Sequence, residues 1–250
     1  TRQDLVDYHK NVIVPAGTVI TLFGDLDPKE ALAMVQAKFG TMKTPSRYKK
    51  LSLDRSNVLP KSVTKYGKIQ SDSAVLFRAF PIPSSFDAKE TAAITMFYAI
   101  ADNYGVMGGR LFNSIRGAGL VYSVYGHPMS GPVPGYYLTL AQMQPANVQK
   151  VLDKIDAVYD GVEKGEFTDE EFTKAKQLIL SKHSQTNTTI GEQATQGALD
   201  ELYGFGYDYD KGFDARINAA TREDMLRVIK KCREKSVLVV VTPDAPEEEK

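Results

Sequence analysis

Two side chains of this protein are equipped to hold a peptide: Arg116 and Tyr122, inside the run from Gly108 to Val124. Arginine presents five N–H donors in a rigid fork, and tyrosine presents a hydroxyl at the end of a stiff ring. Either can hold a carbonyl oxygen, and a donor so placed can also stabilise the oxyanion of a tetrahedral intermediate. The residues equally allow a plainer arrangement, with Arg116 paired to a neighbouring carboxylate and Tyr122 packed in a core. Asn113, Gly119 and His127 lie close enough in sequence to line the same cleft. Metal ligation is not expected of this chain. Its three histidines, His9, His127 and His183, have no second histidine within a helical turn, and neither H-E-x-x-H nor H-x-x-E-H occurs. His9 reads as a helix-face residue and His183 as solvated on a polar helix. His127 ends a strand beside a glycine-proline loop, where it can touch a ligand. Gly105 to Gly109 lacks the Gly-Lys-Ser/Thr ending of a phosphate loop, and no G-x-S-x-G elbow is present.

The elements around the pair follow from periodicity and punctuation. Arg110 to Arg116 reads as a short helix after Gly108-Gly109, and Tyr122 to His127 as a strand after the Gly117-Ala118-Gly119 turn. A second strand, Tyr136 to Ala141, follows a breaker-rich connection. Further strands are expected at Lys61 to Gly67, Ser73 to Phe80 and Ser236 to Val241, with Pro81 and Pro83 ending the second of these. Asp87 caps a helix that runs to about Tyr104, and a long helix spans Pro145 to Glu163. Thr168-Asp169-Glu170-Glu171 is a capping box, which explains its carboxylates better than acid-base chemistry does. Asn187 to Leu202 is a further helical stretch, and Thr221 caps a last helix that carries Cys232.

Before all of these, Asp4 to Lys10 reads as a helix and Thr18 to Phe23 as a β-branched and aromatic strand. Asp27-Pro28 then opens a helix that Gly40 ends. The pattern predicts an α+β protein with a mixed or antiparallel sheet covered by helices on one side, preceded by a strand-helix tail of a homologous domain. The expected divisions are 1–45 for that tail, 46–60 for a basic linker, 61–244 for the main domain and 245–250 for a disordered end.

Composition narrows the function classes. Lysine plus arginine and aspartate plus glutamate number 31 each, so there is no broad basic field for nucleic acid. The single cysteine, Cys232, forbids an intrachain disulfide or a cysteine metal cluster and reads as a buried helix residue. No apolar run reaches the roughly 20 residues of a membrane span. The chain does not begin with methionine, and its first residues read as a helix rather than a signal peptide, which suggests a start inside a longer protein.

The run Gly109 to Val124 closely resembles the C-terminal-type domain of the insulinase/pitrilysin family of zinc metallopeptidases, which includes the mitochondrial processing peptidases and the core subunits of respiratory complex III. Leu5 to His9, Val19 to Asp27 and Glu30 to Gly40 resemble the close of the preceding family domain. The helix to Gly165, the Thr168 to Phe172 start and Leu202-Tyr203-Gly204 also fit. The resemblance implies two homologous domains facing each other across a chamber, one holding zinc and the other lacking the zinc motif. It implies that Arg116 and Tyr122 contact the substrate backbone opposite the metal. Their spacing here is six residues, where some members have seven.

The expectation is a non-catalytic half that closes the chamber and orients a peptide or small protein, with no activity as an isolated chain. No cofactor is expected in this chain; zinc is expected on the absent partner domain, in the same or another polypeptide. A metal-free scaffold or assembly subunit of the same family is one alternative. An unrelated peptide-binding α+β module is another.

Overall fold

The computed structural model describes residues 1–49, 52 and 59–245. The chain divides into two compact units, one of Thr1–Leu53 with Lys182–Phe213 and one of Asp54–Ser181 with Asp214–Lys250.

The larger unit is built on a five-stranded sheet. The strands are β1 (Val63–Lys68), β2 (Ala74–Ile82), β3 (Val121–Met129), β4 (Gly135–Met143) and β5 (Val237–Thr242), in the order β1-β5-β2-β4-β3. β1 and β5 are parallel and the other pairs antiparallel, so the sheet is mixed. The two periods in the sequence explain the layers. Along β2 the alternate residues Ala74, Leu76, Phe80 and Ile82 are buried, as are Tyr137, Thr139, Ala141 and Met143 along β4. Helices α3 (Ala88–Asp102), α4 (Arg110–Ile115), α5 (Val148–Glu163) and α9 (Arg222–Cys232) cover that face. They contribute Met96 and Phe97, Leu111, Ile155 and Tyr159, and Met225 and Ile229 to the core, and Ile217 of the short α8 (Phe213–Ala219), just before α9, is buried as well. Phe80 stacks on Tyr137 with centroids 5.1 Å apart, and Phe97 meets both Tyr137 and Tyr159 edge-on or tilted at 5.2 and 5.3 Å. Each such pair adds about 0.5–1.5 kcal/mol beyond simple burial.

Helix starts follow the local signals. Asp87 accepts from the Glu90 N–H at 3.0 Å, and Thr221 from the Asp224 N–H at 3.1 Å. Thr168 and Glu171 form the reciprocal pair at the head of α6 (Asp169–His183), with N···O distances of 2.8 and 3.1 Å.

Pro81 departs from expectation, because β2 continues through it to Ile82 in register with β4. β5 pairs with β2 only as far as Ala79, so Pro81 lies where β2 has a neighbour on one side alone. Such an edge-like setting tolerates the missing N–H.

The smaller unit contains α1 (Arg2–Val12), α2 (Pro28–Phe39) and α7 (Ile190–Tyr203). Asp27 caps α2 through the N–H groups of Lys29 and Glu30. The strand expected at Thr18 to Phe23 does not form among the described residues. A strand is defined by a hydrogen-bonded neighbour, and this segment lies along a helix instead. The Thr21 hydroxyl donates to the Ala194 carbonyl of α7 at 2.8 Å, and Gly197 of the same helix sits against the Phe23 ring. His183 is not simply solvated. It pairs with Asp210 at 3.1 Å and stacks on Phe213 with centroids 4.0 Å apart. Of the expected linker and tail, residues 50, 51, 53–58 and 246–250 lie outside those described. Ala245, where the tail was expected to begin, is buried, with its N–H directed to the Thr242 carbonyl.

Candidate functional site

The Arg116–Tyr122 region is a helix stop followed directly by a sheet edge. α4 starts at Gly109, where a side chain would place its Cβ 2.8 Å from the Asn103 nitrogen and the Asp102 carbonyl carbon. Only glycine allows that approach. At the other end Leu120 N–H bonds Ile115 O at 3.2 Å and Gly119 N–H bonds Arg116 O at 2.9 Å. With Gly119 at φ +70°, these two bonds make a Schellman motif. Gly119 is therefore the residue that turns the chain. Asn147, just before α5, secures the turn by donating its side-chain amide to Leu120 O at 3.1 Å.

β3 begins two residues later with an irregularity. Val121 pairs with Met143 and Ser123 with Gln142, so Tyr122 is an additional residue inserted into the ladder. A β-bulge of this kind re-aims the side chain it carries. Tyr122 is 53% exposed at the open edge of the sheet. Arg116 is also exposed, and its Nη1 donates to the Val121 carbonyl at 3.2 Å, across the turn. Among the described residues Arg116 bonds no carboxylate. The two side chains line one cavity of about 260 Å³, together with Asp102, Val106, Met107, Phe112 and Tyr125.

The other expected cleft residues are distributed elsewhere. Asn113 faces a second groove with Arg110, Lys154 and Glu166, and its side-chain amide caps Gly108 O at 2.9 Å. His127 lies further along β3, with Nε2 3.0 Å from Met129 Sδ and its ring stacked on Tyr125.

One cavity residue carries no sequence motif. Asp102, the last residue of α3, is 5% exposed and accepts a hydrogen bond from the Gly126 N–H in the middle of β3. Burial pushes its carboxyl up to about 7, against the smaller lowering effect of that bond. Three tyrosines around it respond in the same direction. Burial raises Tyr98 to about 12 and lifts Tyr137 and Tyr159 as well, with the Asp102 charge contributing to each. A carboxylate ending an otherwise alanine-rich apolar helix, just before a glycine turn, was the available signal for this site.

The donor set does not fit zinc. Among the described residues no group of three or more His, Cys, Asp or Glu side chains is placed to hold a metal ion. Among the described residues, too, no helix is long and apolar enough to cross a membrane.

Comparisons with known proteins converge. The family model of the peptidase M16 inactive domain matches residues 1–179. No curated protein matches significantly. Among solved structures, a protease from Helicobacter pylori superposes with TM-score 0.83 at 16% identity, over 97% of this chain and 59% of the other. A peptidase M16 inactive domain from Pseudomonas fluorescens gives 0.75 at 20% identity, over 90% and 53%. The periplasmic protease PqqL from Escherichia coli gives 0.68 at 14%, over 88% and 25%. The chain thus spans little more than half the length of the first two and a quarter of the third. At these identities the likeness is one of fold.

Proposed function

Because the chain belongs to the peptidase M16 family and matches its inactive domain, we propose that it is the non-catalytic half of a zinc metalloendopeptidase, holding substrate backbone through Arg116 and Tyr122. The observation that carries this reading is the shared cavity. Two exposed donors border it, Tyr122 from the sheet edge and Arg116 from the end of α4, and a main-chain bond tethers the arginine. The bond to Val121 uses one of five guanidinium N–H groups. The remaining donors and the Tyr122 hydroxyl suit a peptide carbonyl or the oxygen of a tetrahedral centre. Zinc-activated water belongs to the chemistry of a homologous domain outside this chain, in the same polypeptide or a second one. Family membership sets aside the unrelated peptide-binding module.

The test uses the complete protein, with the domain that bears the zinc motif. Tyr122→Phe should lower kcat for a fluorogenic peptide by roughly a hundredfold to a thousandfold, the range for losing one oxyanion donor. Zinc content and thermal midpoint should be unchanged. Full turnover in that variant refutes the reading.

A metal-free assembly subunit of the same family is the second reading. It is favoured by apolar side chains that the smaller unit leaves exposed, among them Leu5, Tyr8, Leu32 and Met34. On that reading the purified complete protein contains no stoichiometric zinc, and Tyr122→Phe changes neither assembly nor any peptide turnover.

A further inference from the structure

We propose that Asp102 is a proton-sensitive positioning residue, gripping the middle of β3 through the Gly126 N–H and so setting how the edge strand presents Tyr122. Geometry carries this first. Asp102 is buried at the end of α3, yet it borders the cavity that Arg116, Tyr122 and Tyr125 also line. Its contact to β3 is to the main chain, so it acts on strand position rather than on one side chain. Gly126 is the residue that permits the contact. A Cβ there would lie 2.9 Å from Tyr137 Cε1, 2.9 Å from the Tyr159 hydroxyl and 3.0 Å from Asp102 Oδ2.

The surrounding charges leave the carboxyl without a cation. Tyr98 lies on its own helix and Tyr104 in the turn that follows. Tyr122 and Tyr125 come from β3, Tyr137 from β4 and Tyr159 from α5. Arg116 lies across the cavity, and Arg233, after α9, sits over the Tyr159 ring 5.8 Å from its centroid. Among the described residues none of these makes an ion pair with Asp102. Burial is then the dominant influence and places its titration near neutrality. Ionised, the group is acceptor-only and its bond to Gly126 is charge-assisted. Protonated, it grips the amide less strongly and gains a donor of its own among tyrosine hydroxyls. The strand bearing Tyr122 is therefore held differently on the two sides of that titration. The consequence for peptide binding rests on the function proposed above; the coupling of Asp102 to β3 does not.

The experiment is an NMR titration of the 250-residue chain from pH 5 to pH 9. It follows the Asp102 carboxyl carbon, the Gly126 amide and the Tyr122 ring. The expected result is one shared midpoint at about pH 7, with Gly126 amide protection severalfold weaker below it. In Asp102→Asn, whose side-chain oxygen still accepts from Gly126, the midpoint should vanish from Gly126 and Tyr122. A carboxyl midpoint below pH 5, or Gly126 and Tyr122 titrations that persist unchanged in Asp102→Asn, overturns the proposal. Should the variant not fold, the wild-type titration decides alone: the carboxyl, Gly126 and Tyr122 either share the midpoint or do not. None of these readouts involves a peptide, so failure of the peptidase reading and failure of this one are separately visible.

Discussion

Arg116 Nη1 lies 3.2 Å from the carbonyl oxygen of Val121, a side chain bonding the main chain five positions ahead of it. This contact closes the turn between α4 and β3 from outside and fixes the direction of the guanidinium. Arg116→Lys keeps the charge but not the planar fork. On the peptidase reading proposed above, it should lower kcat/KM for peptide hydrolysis by the complete protein at least severalfold. A partly exposed bond of this kind is worth only about 1 kcal/mol, so thermal unfolding should move little. Steady-state kinetics beside a melting curve checks both halves.

Asp102 gives the fold a pH dependence of definite sign. Its carboxyl is raised from 3.8 to about 7 in the folded chain. Below about pH 4 both folded and unfolded chains carry the proton, and the full stability is present. As pH rises from about 4 to 7 only the unfolded chain has lost the proton, so stability falls, by at most about 1.4 kcal/mol per pH unit. Above that window both are ionised and the penalty is complete. Asp102→Asn should flatten this part of the profile and raise stability at pH 8 relative to pH 5, compared with wild type. Urea unfolding at a series of pH values measures it.

Two glycines near the site should differ in their tolerance of alanine. Gly119 has φ +70° and open space around it, so Gly119→Ala should cost about 1–2 kcal/mol from backbone strain. Gly126 has no such φ, but its added methyl would press on Tyr137, Tyr159 and Asp102. Gly126→Ala should cost about 1–3 kcal/mol from overpacking, and it should perturb the Tyr122 resonances. Denaturant midpoints and a proton–nitrogen spectrum separate the two effects.

Cys232 is buried on α9, and burial pushes its thiol up to about 12. The thiolate is the reactive form. Ellman's reagent should therefore label the native chain far more slowly at pH 8 than the urea-unfolded chain. Equal rates would contradict the packing of α9 against α3.

What the sequence revealed was mostly local. Asp27, Asp87, Thr168 and Thr221 announce their helices because a cap involves residues only two or three apart. The α4–turn–β3 passage was legible for the same reason, since Gly119 and the Arg116–Val121 bond lie within one short stretch. What stayed hidden depends on distant partners. Whether Thr18 to Phe23 joins a sheet is decided by α7, whose Ala194 is 173 positions from Thr21. The fate of His183 is set by Asp210 and Phe213, and that of Pro81 by where β5 ends. Asp102 escaped notice because an acidic residue near a helix end ordinarily meets water. Only the assembled sheet shows that this one meets Gly126 instead.

Placing Tyr122 outside the ladder count uncouples the length of the preceding turn from the pairing that follows. From Ser123 onward each residue of β3 has a fixed opposite number in β4. One residue more or fewer between Arg116 and Tyr122 can be taken up where the strand is already out of step. A longer or shorter interval between Arg116 and Tyr122 would thus leave the same sheet, and the distance between guanidinium and phenol becomes adjustable without refolding the domain around it.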